Sequence, residues 1–192
     1  MCVAQHVNGG VVGAHDHRPG AFLHLVAERG ARPFGLDASE ALLDVARERL
    51  PDAELRVGEM EALPYEDDTF HLACGFNSFF FANEIVAAVR EAGRVAKRGA
   101  PVVIQVWGPH DRNDLEAMKE IARPFLPPRP ADAPLERDYS QPGVLEDIAA
   151  RAGLEPQQAF DASWAYEYPD DGHDGARAHR PRRARPARRA RP

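Results

Sequence analysis

"GLDASEALLDVARERLPDAELRVGEMEALPYEDDTF", residues 35–70, decides the fold. Together with the preceding "RPF", its first residues form a short apolar strand that ends in an acid, Asp37. Ser39 follows at a position that favours a helix N-cap, because its hydroxyl can accept from a free N–H of the first turn. "EALLDVARERL" then places Leu42, Leu43, Val45, Ala46 and Leu50 at helical spacing, and Pro51 stops the helix. "AELRVGEME" alternates around Leu55 and Val57 and predicts a further strand, and "ALPYEDDTF" predicts a turn.

The same alternation extends in both directions. Upstream, "GAFLHLVAERGA" (20–31) reads as a helix through Phe22, Leu23, Leu25 and Val26, with Gly30 at its C-terminus. Before it, Val11 and Val12 suggest a first strand, crowded by Gly9, Gly10 and Gly13 and closed by Pro19. Downstream, "FHLACGF" (70–76) is an apolar run of the kind buried on both faces of a parallel sheet. In that run Cys74 is expected as a small buried hydrophobe and His71 as a partly buried histidine. "ANEIVAAVREAGRVAKRG" (82–99) is an amphipathic helix ended by Gly99, and "APVVIQVWG" (100–108) is a β-branched strand. Strand and helix alternate with short loops, which argues for a Rossmann-like α/β fold: a doubly wound, mostly parallel sheet with right-handed crossovers.

Past Pro109 the pattern loosens. "NDLEAMKEIARPFL" (113–126) predicts a helix stopped by Pro124, and "SQPGVLEDIAARAGL" (140–154) another with Ser140 as N-cap. "PQQAFDASWAYEY" (156–168) could be a strand. The sheet is expected to be incomplete at both ends, with residues 1–19 a degenerate first strand and loop, 20–171 the domain, and 172–192 a basic disordered tail.

Composition agrees with a single globular domain. The 192 residues are 44% hydrophobic and 28% charged, enough chain to bury a full core. No apolar run reaches the 18 residues that a membrane helix needs. "MCVAQHVNGG" lacks the basic and apolar segments of a secretory signal, so a cytoplasmic location is expected. Charge is unevenly spread. The last 21 residues hold eight arginines against one acid, whereas the other 171 hold 16 basic and 29 acidic side chains. An Arg-rich tail could bind a polyanion, but no aromatic residue follows Tyr168 to stack on bases. His6, His15, His17 and His24 include a His-x-His pair, yet only Asp16 accompanies it, a poor metal set.

A strand-terminal acid after the first helix has a chemical use. In a doubly wound sheet the ligand crosses the carboxyl ends of the strands, where a carboxylate can accept from both hydroxyls of a ribose. Asp37 stands at that place. A nicotinamide-dependent dehydrogenase would use such an acid equally, although "GEMEALP" and the missing G-x-G-x-x-G speak against it.

From about Gly20 to Tyr168 the chain resembles a class I S-adenosylmethionine-dependent methyltransferase of the small-molecule type. "GEMEALPYEDDTF" carries most of the resemblance, with "GLDAS" and "REAGRVAKRGAPVVI" in support. The resemblance implies S-adenosylmethionine as cofactor and a small molecule as methyl acceptor. It implies that Asp37 binds the ribose hydroxyls, Ala38 packs near the adenosine, Glu59 accepts from the adenine amino group and the Met60 N–H donates to the ring. Phe76 and Asn77 would line the methionine end and face the acceptor. Such families share no single catalytic base, and none is assigned. Core and helix-start packing is the plainer reading of Phe79, Phe80 and Phe81.

Two regions depart from that family. Its first strand leads into a glycine-rich loop, whereas here Asp16 is followed by "HRPG", with only Gly20 matching. Arg18 and Pro19 replace small residues, which predicts a weakened cofactor seat and leaves an inactive methyltransferase-like protein as the alternative. At the far end, codons for His173–Arg180 read one base later permit Thr-Met-Val-Arg-Ala-Leu-Thr, so the tail is expected to be an out-of-frame translation. The coding nucleotides decide it, and a shifted frame without that helix rejects it.

Overall fold

The computed structural model describes residues 10–14, 21–113, 119–127 and 138–163, and gives only the backbone for 10–14. The expected tail, the "HDHRPG" loop and His6, His15 and His17 lie outside these. The chain divides into two compact units, Val3–Pro156 and a second formed by Met1–Cys2 with Gln157–Pro192. Everything that follows concerns the first.

Among the described residues five strands form one parallel sheet in the order β3-β2-β1-β4-β5: β1 (Gly10–Ala14), β2 (Arg32–Asp37), β3 (Glu54–Val57), β4 (Leu72–Phe76) and β5 (Val102–Gln105). The first strand suggested by Val11 and Val12 is therefore present. It is central, pairing Val12 with Phe34 on one side and with Ala73 on the other. Helices α1 (Ala21–Ala27), α2 (Glu40–Arg49) and α3 (Ile85–Val95) link the strands. A fourth helix, α4 (Val144–Arg151), packs on α3.

Two separate apolar clusters mark the two faces of the sheet. On one, Val26 and Ala31 meet Leu72 and Cys74. On the other, Ala73, Phe34, Phe70 and Phe79 meet α3, which buries Ile85, Ala88, Val89, Ala92 and Val95 at helical intervals. β4 is buried along Leu72–Gly75 because both clusters close over it. α2 begins as its sequence predicts, with Leu42 N donating to Ser39 Oγ at 3.4 Å.

Three local expectations differ from what forms. Val57 is 49% exposed rather than core-facing, because β3 has a described neighbour on one side only. His71 is exposed: the strand starts one residue later, and His71 Nε2 lies 3.0 Å from Lys97 Nζ in the turn after α3. Ser140 does not cap a helix. Its N–H and hydroxyl both donate to Asp138 Oδ1, and the chain then turns through Gly143, at φ +83°, before α4 begins at Val144. The helix expected over 113–126 lies partly outside the described residues, and Pro124 sits in a short 3-10 turn, Arg123–Phe125.

The "LPYEDDTF" turn is held to α3 by one guanidinium. Arg94 donates to the carbonyls of Tyr65 (2.8 Å) and Leu63 (3.0 Å), to Asp67 (2.7 Å) and to both oxygens of Glu91 (2.8 Å each). Glu91 also accepts from Leu63 N at 2.9 Å. The hydrogen bond from Arg94 holds the Glu91 carboxyl below the usual carboxylate range. A group depressed in the folded state adds stability above its unfolded value and loses it as pH falls through the folded one. Arg94→Ala is therefore expected to cost about 2 kcal/mol at pH 7, the ion-pair share being discounted for solvent screening. In urea unfolding at stepped pH, the gap from wild type should narrow toward acid; a gap that stays constant with pH would contradict the assignment.

Candidate functional site

Asp37, Ala38, Glu59, Met60, Phe76 and Asn77 all lie at the carboxyl ends of β2, β3 and β4 or in the loops that leave them. β1 stands between β2 and β4, with Ala14 paired to Leu36 and to Gly75, so these residues flank the point where the winding of the sheet reverses. Gly20 lies outside the described residues.

Asp37 is half-buried and held by its own turn. Its Oδ1 accepts from Ser39 N at 2.8 Å, and its carbonyl accepts from Gly58 N at 3.1 Å, joining the ends of β2 and β3. Ala38 is exposed beside it. In the next loop Glu59 is exposed and Met60 packs against the cluster under α3. Ala62 N donates to the Glu59 carbonyl at 3.2 Å, closing that loop as a turn. Two carboxylates, Asp37 and Glu59, thus occupy adjacent loops, a pair of acceptors suited to hydroxyl and amino hydrogens rather than to a phosphate.

At the end of β4 the Phe76 ring lies 4.6 Å from that of Phe22. Asn77 follows with φ +51°, a left-handed conformation that few residues other than glycine adopt. Its N–H donates to the Gln105 carbonyl at 2.9 Å, which anchors the turn to β5. The side-chain oxygen of Asn77 and the hydroxyl of Ser78 are buried without a hydrogen-bond partner, and Ser78 is fully enclosed. Buried orphan oxygens and a left-handed residue concentrate at sites that receive a ligand.

Sequence reasoning missed three of the residues that shape this edge. Glu61 Oε1 accepts from Asn83 N (2.7 Å) and Glu84 N (3.3 Å), tying the Glu59 loop to the start of α3. The acid-x-acid spacing was visible, but not that its second acid holds the chain just before α3. Ser78 left no signal. Gly75 did, as a glycine inside an apolar strand: a Cβ there would lie 2.4 Å from the Phe79 ring and 2.6 Å from Ser78 Oγ.

Among the described residues no group of three or more His, Cys, Asp or Glu could hold a metal, and His24 pairs with Glu28 at 3.5 Å. A shallow cleft of about 430 Å³ opens at the opposite, amino end of the sheet beside His24, Arg32 and Leu50. Arg32 there already pairs with Glu54 at 3.4 Å, so the cleft lacks the chemistry of the carboxyl edge.

The sheet order β3-β2-β1-β4-β5, all parallel, defines a Rossmann-like α/β domain with an acid at the tip of β2. Comparison with known proteins narrows the class. Residues 18–104 match the methyltransferase domain family. The chain is 35% identical over 82 residues to a demethylmenaquinone methyltransferase of Thermotoga maritima, covering 41% of this chain and 34% of that one. It is 31% identical over 90 residues to an uncharacterized methyltransferase of Schizosaccharomyces pombe, covering 46% and 35%. The chain thus spans about a third of the length of these curated relatives. Its fold is similar to that of a SAM-dependent methyltransferase of Thermotoga maritima, with a TM-score of 0.62 and 21% identity over 82% of this chain and 70% of that one. A SAM-dependent methyltransferase of Aquifex aeolicus gives a TM-score of 0.56 at 17% identity, over 82% and 74%. Residues 18–104 are thus similar to a methyltransferase domain, and the fold is shared with S-adenosylmethionine-dependent methyltransferases of known structure. Among the described residues no helix is long and apolar enough to cross a membrane.

Proposed function

We propose that this chain binds S-adenosylmethionine across the carboxyl ends of β1, β2 and β4 and transfers its methyl group to a small molecule. The observation that carries the reading is Asp37, a half-buried carboxylate at the tip of β2 whose direction is set by the Ser39 N–H at 2.8 Å. These groups fit the cofactor. Asp37 accepts from the ribose hydroxyls, and Glu59 accepts from the adenine amino group. The Met60 N–H donates to the ring. Phe76 and Asn77 border the methionine end. When bound, the cofactor supplies an electrophilic methyl on a sulfonium. The protein's share is to align that methyl with the acceptor and to keep water out, an effect of proximity and orientation.

Thermal unfolding with S-adenosylhomocysteine, the demethylated product, tests the cofactor class. At a hundredfold excess over its dissociation constant the ligand stabilises by about 2.7 kcal/mol. For a domain of this size that raises Tm by about 5 to 10 °C. NAD⁺ at the same concentration should leave Tm unchanged. A shift with NAD⁺ and none with S-adenosylhomocysteine would replace this reading with a dehydrogenase.

A further inference from the structure

The aromatic run after β4 divides in an informative way. Phe79 is core, 5% exposed beneath α3. Phe80 is half-buried and stacks on Tyr139, with ring centroids 6.3 Å apart and planes 24° from parallel. Phe81 lies 4.5 Å from Phe80 and is 68% exposed. No packing need accounts for a phenylalanine ring presented to water in a turn that is otherwise tightly held. Phe81 N donates to the Ser78 carbonyl (2.9 Å), Ala82 N donates to that of Phe79 (3.1 Å), and Glu61 holds Asn83 and Glu84. The rings are therefore carried on a fixed turn, four residues beyond the left-handed Asn77, at the edge where the methyl group must be delivered.

We propose that Phe81, backed by Phe80 and Tyr139, forms the wall that receives the methyl acceptor, and that the acceptor is a planar aromatic molecule bearing an O–H or N–H. The inference rests on the cofactor reading above and adds the class of its second substrate. The aromatic cluster carries it: three rings in contact, the outermost exposed, favour a flat apolar partner that stacks or packs edge-on. The O–H or N–H supplies the heteroatom that takes the methyl group. A purely aliphatic acceptor would make no use of the rings. In the transfer, the acceptor O–H proton goes to solvent while the oxygen–methyl bond forms and the sulfur–methyl bond of S-adenosylmethionine breaks, leaving the thioether.

The test uses the full chain saturated with S-adenosylhomocysteine, titrated with 2-naphthol and with its saturated counterpart decahydro-2-naphthol. Both carry a hydroxyl on a fused two-ring frame, but only the first is flat and aromatic. 2-Naphthol is expected to bind at least tenfold more tightly. Phe81→Ala should weaken 2-naphthol about tenfold and Phe81→Trp should restore it, with the affinity for S-adenosylhomocysteine unchanged in both. Equal binding of the two alcohols, or naphthol binding indifferent to Phe81→Ala, would overturn the assignment. So would a wild-type dimer in sedimentation that Phe81→Ala dissociates, since the wall would then be a self-association surface. Failure of the cofactor reading is distinguishable, because it shows as absent S-adenosylhomocysteine binding before any alcohol is added.

Discussion

Gly75→Ala is expected to lower stability by about 3 kcal/mol, at the upper end of what overpacking a core costs. The added methyl would sit 2.4 Å from one carbon of the Phe79 ring, 2.6 Å from another and 2.6 Å from Ser78 Oγ. The serine hydroxyl can rotate. The ring cannot, because Phe79 is 5% exposed and locked among the residues under α3. Nor can β4 move away, since Gly75 is paired to Ala14 on one side and to Ile104 on the other. What gives is the Asn77–Phe79 turn, so cofactor affinity should fall together with stability. Gly30→Ala is the informative control. It has open space around it but φ +82°, and only the left-handed backbone penalty applies, on the order of 1 kcal/mol. Urea midpoints for the two variants compare crowding with backbone strain directly. A Gly75→Ala chain within 0.5 kcal/mol of wild type would mean that the turn after β4 yields easily and is a poor platform for a site.

The second large effect is expected at Asp37. A carboxylate that accepts from two hydroxyls of a bound ribose contributes roughly 1.5–3 kcal/mol for each charge-assisted bond. Asp37→Ala should accordingly weaken S-adenosylhomocysteine about 100-fold. The alanine variant also removes the acceptor for Ser39 N, so a second variant separates the turn from the ligand. Asp37→Asn keeps the one oxygen that accepts from Ser39 N but turns an NH2 group toward the ribose in place of the second carboxylate oxygen, discards the charge, and should lose about tenfold. If both variants fell alike with a lower melting temperature, the role of Asp37 would be confined to the turn.

The residues that were legible in the sequence are those whose behaviour is set by near neighbours. Ser39 caps α2 because its hydroxyl reaches the N–H of Leu42, three residues on. The α3 periodicity names Ile85, Val86, Val89 and Val95; Ile85, Val89 and Val95 are buried and Val86 partly so. "LACGF" is buried on both faces because each face of the sheet carries its own cluster. Asp37 was legible for the same reason: it ends a strand, and strand ends are marked by the helix cap that follows.

What escaped was tertiary. Arg94 and Glu91 look like an ordinary solvated pair on an amphipathic helix, yet Arg94 holds the carbonyls of Leu63 and Tyr65 and Glu91 the N–H of Leu63, about 30 residues away. Glu61 holds the N–H groups of Asn83 and Glu84, which lead into α3, more than 20 positions later. Ser140 had the right chemistry for a cap, but Asp138 took its hydroxyl first. The aromatic run was indivisible in sequence, and only the 3-10 turn at Phe79–Phe81 turns the first ring inward and the last to water.

The most direct measurement is calorimetric titration of S-adenosylhomocysteine into the folded wild-type chain and into Asp37→Ala. Micromolar binding by wild type, weakened about 100-fold in the variant, is the expected result; it would mean that the carboxyl edge holds the cofactor despite the "HDHRPG" sequence before α1. A folded wild-type chain that takes up no S-adenosylhomocysteine, or one whose affinity is the same with and without the Asp37 carboxylate, would contradict it.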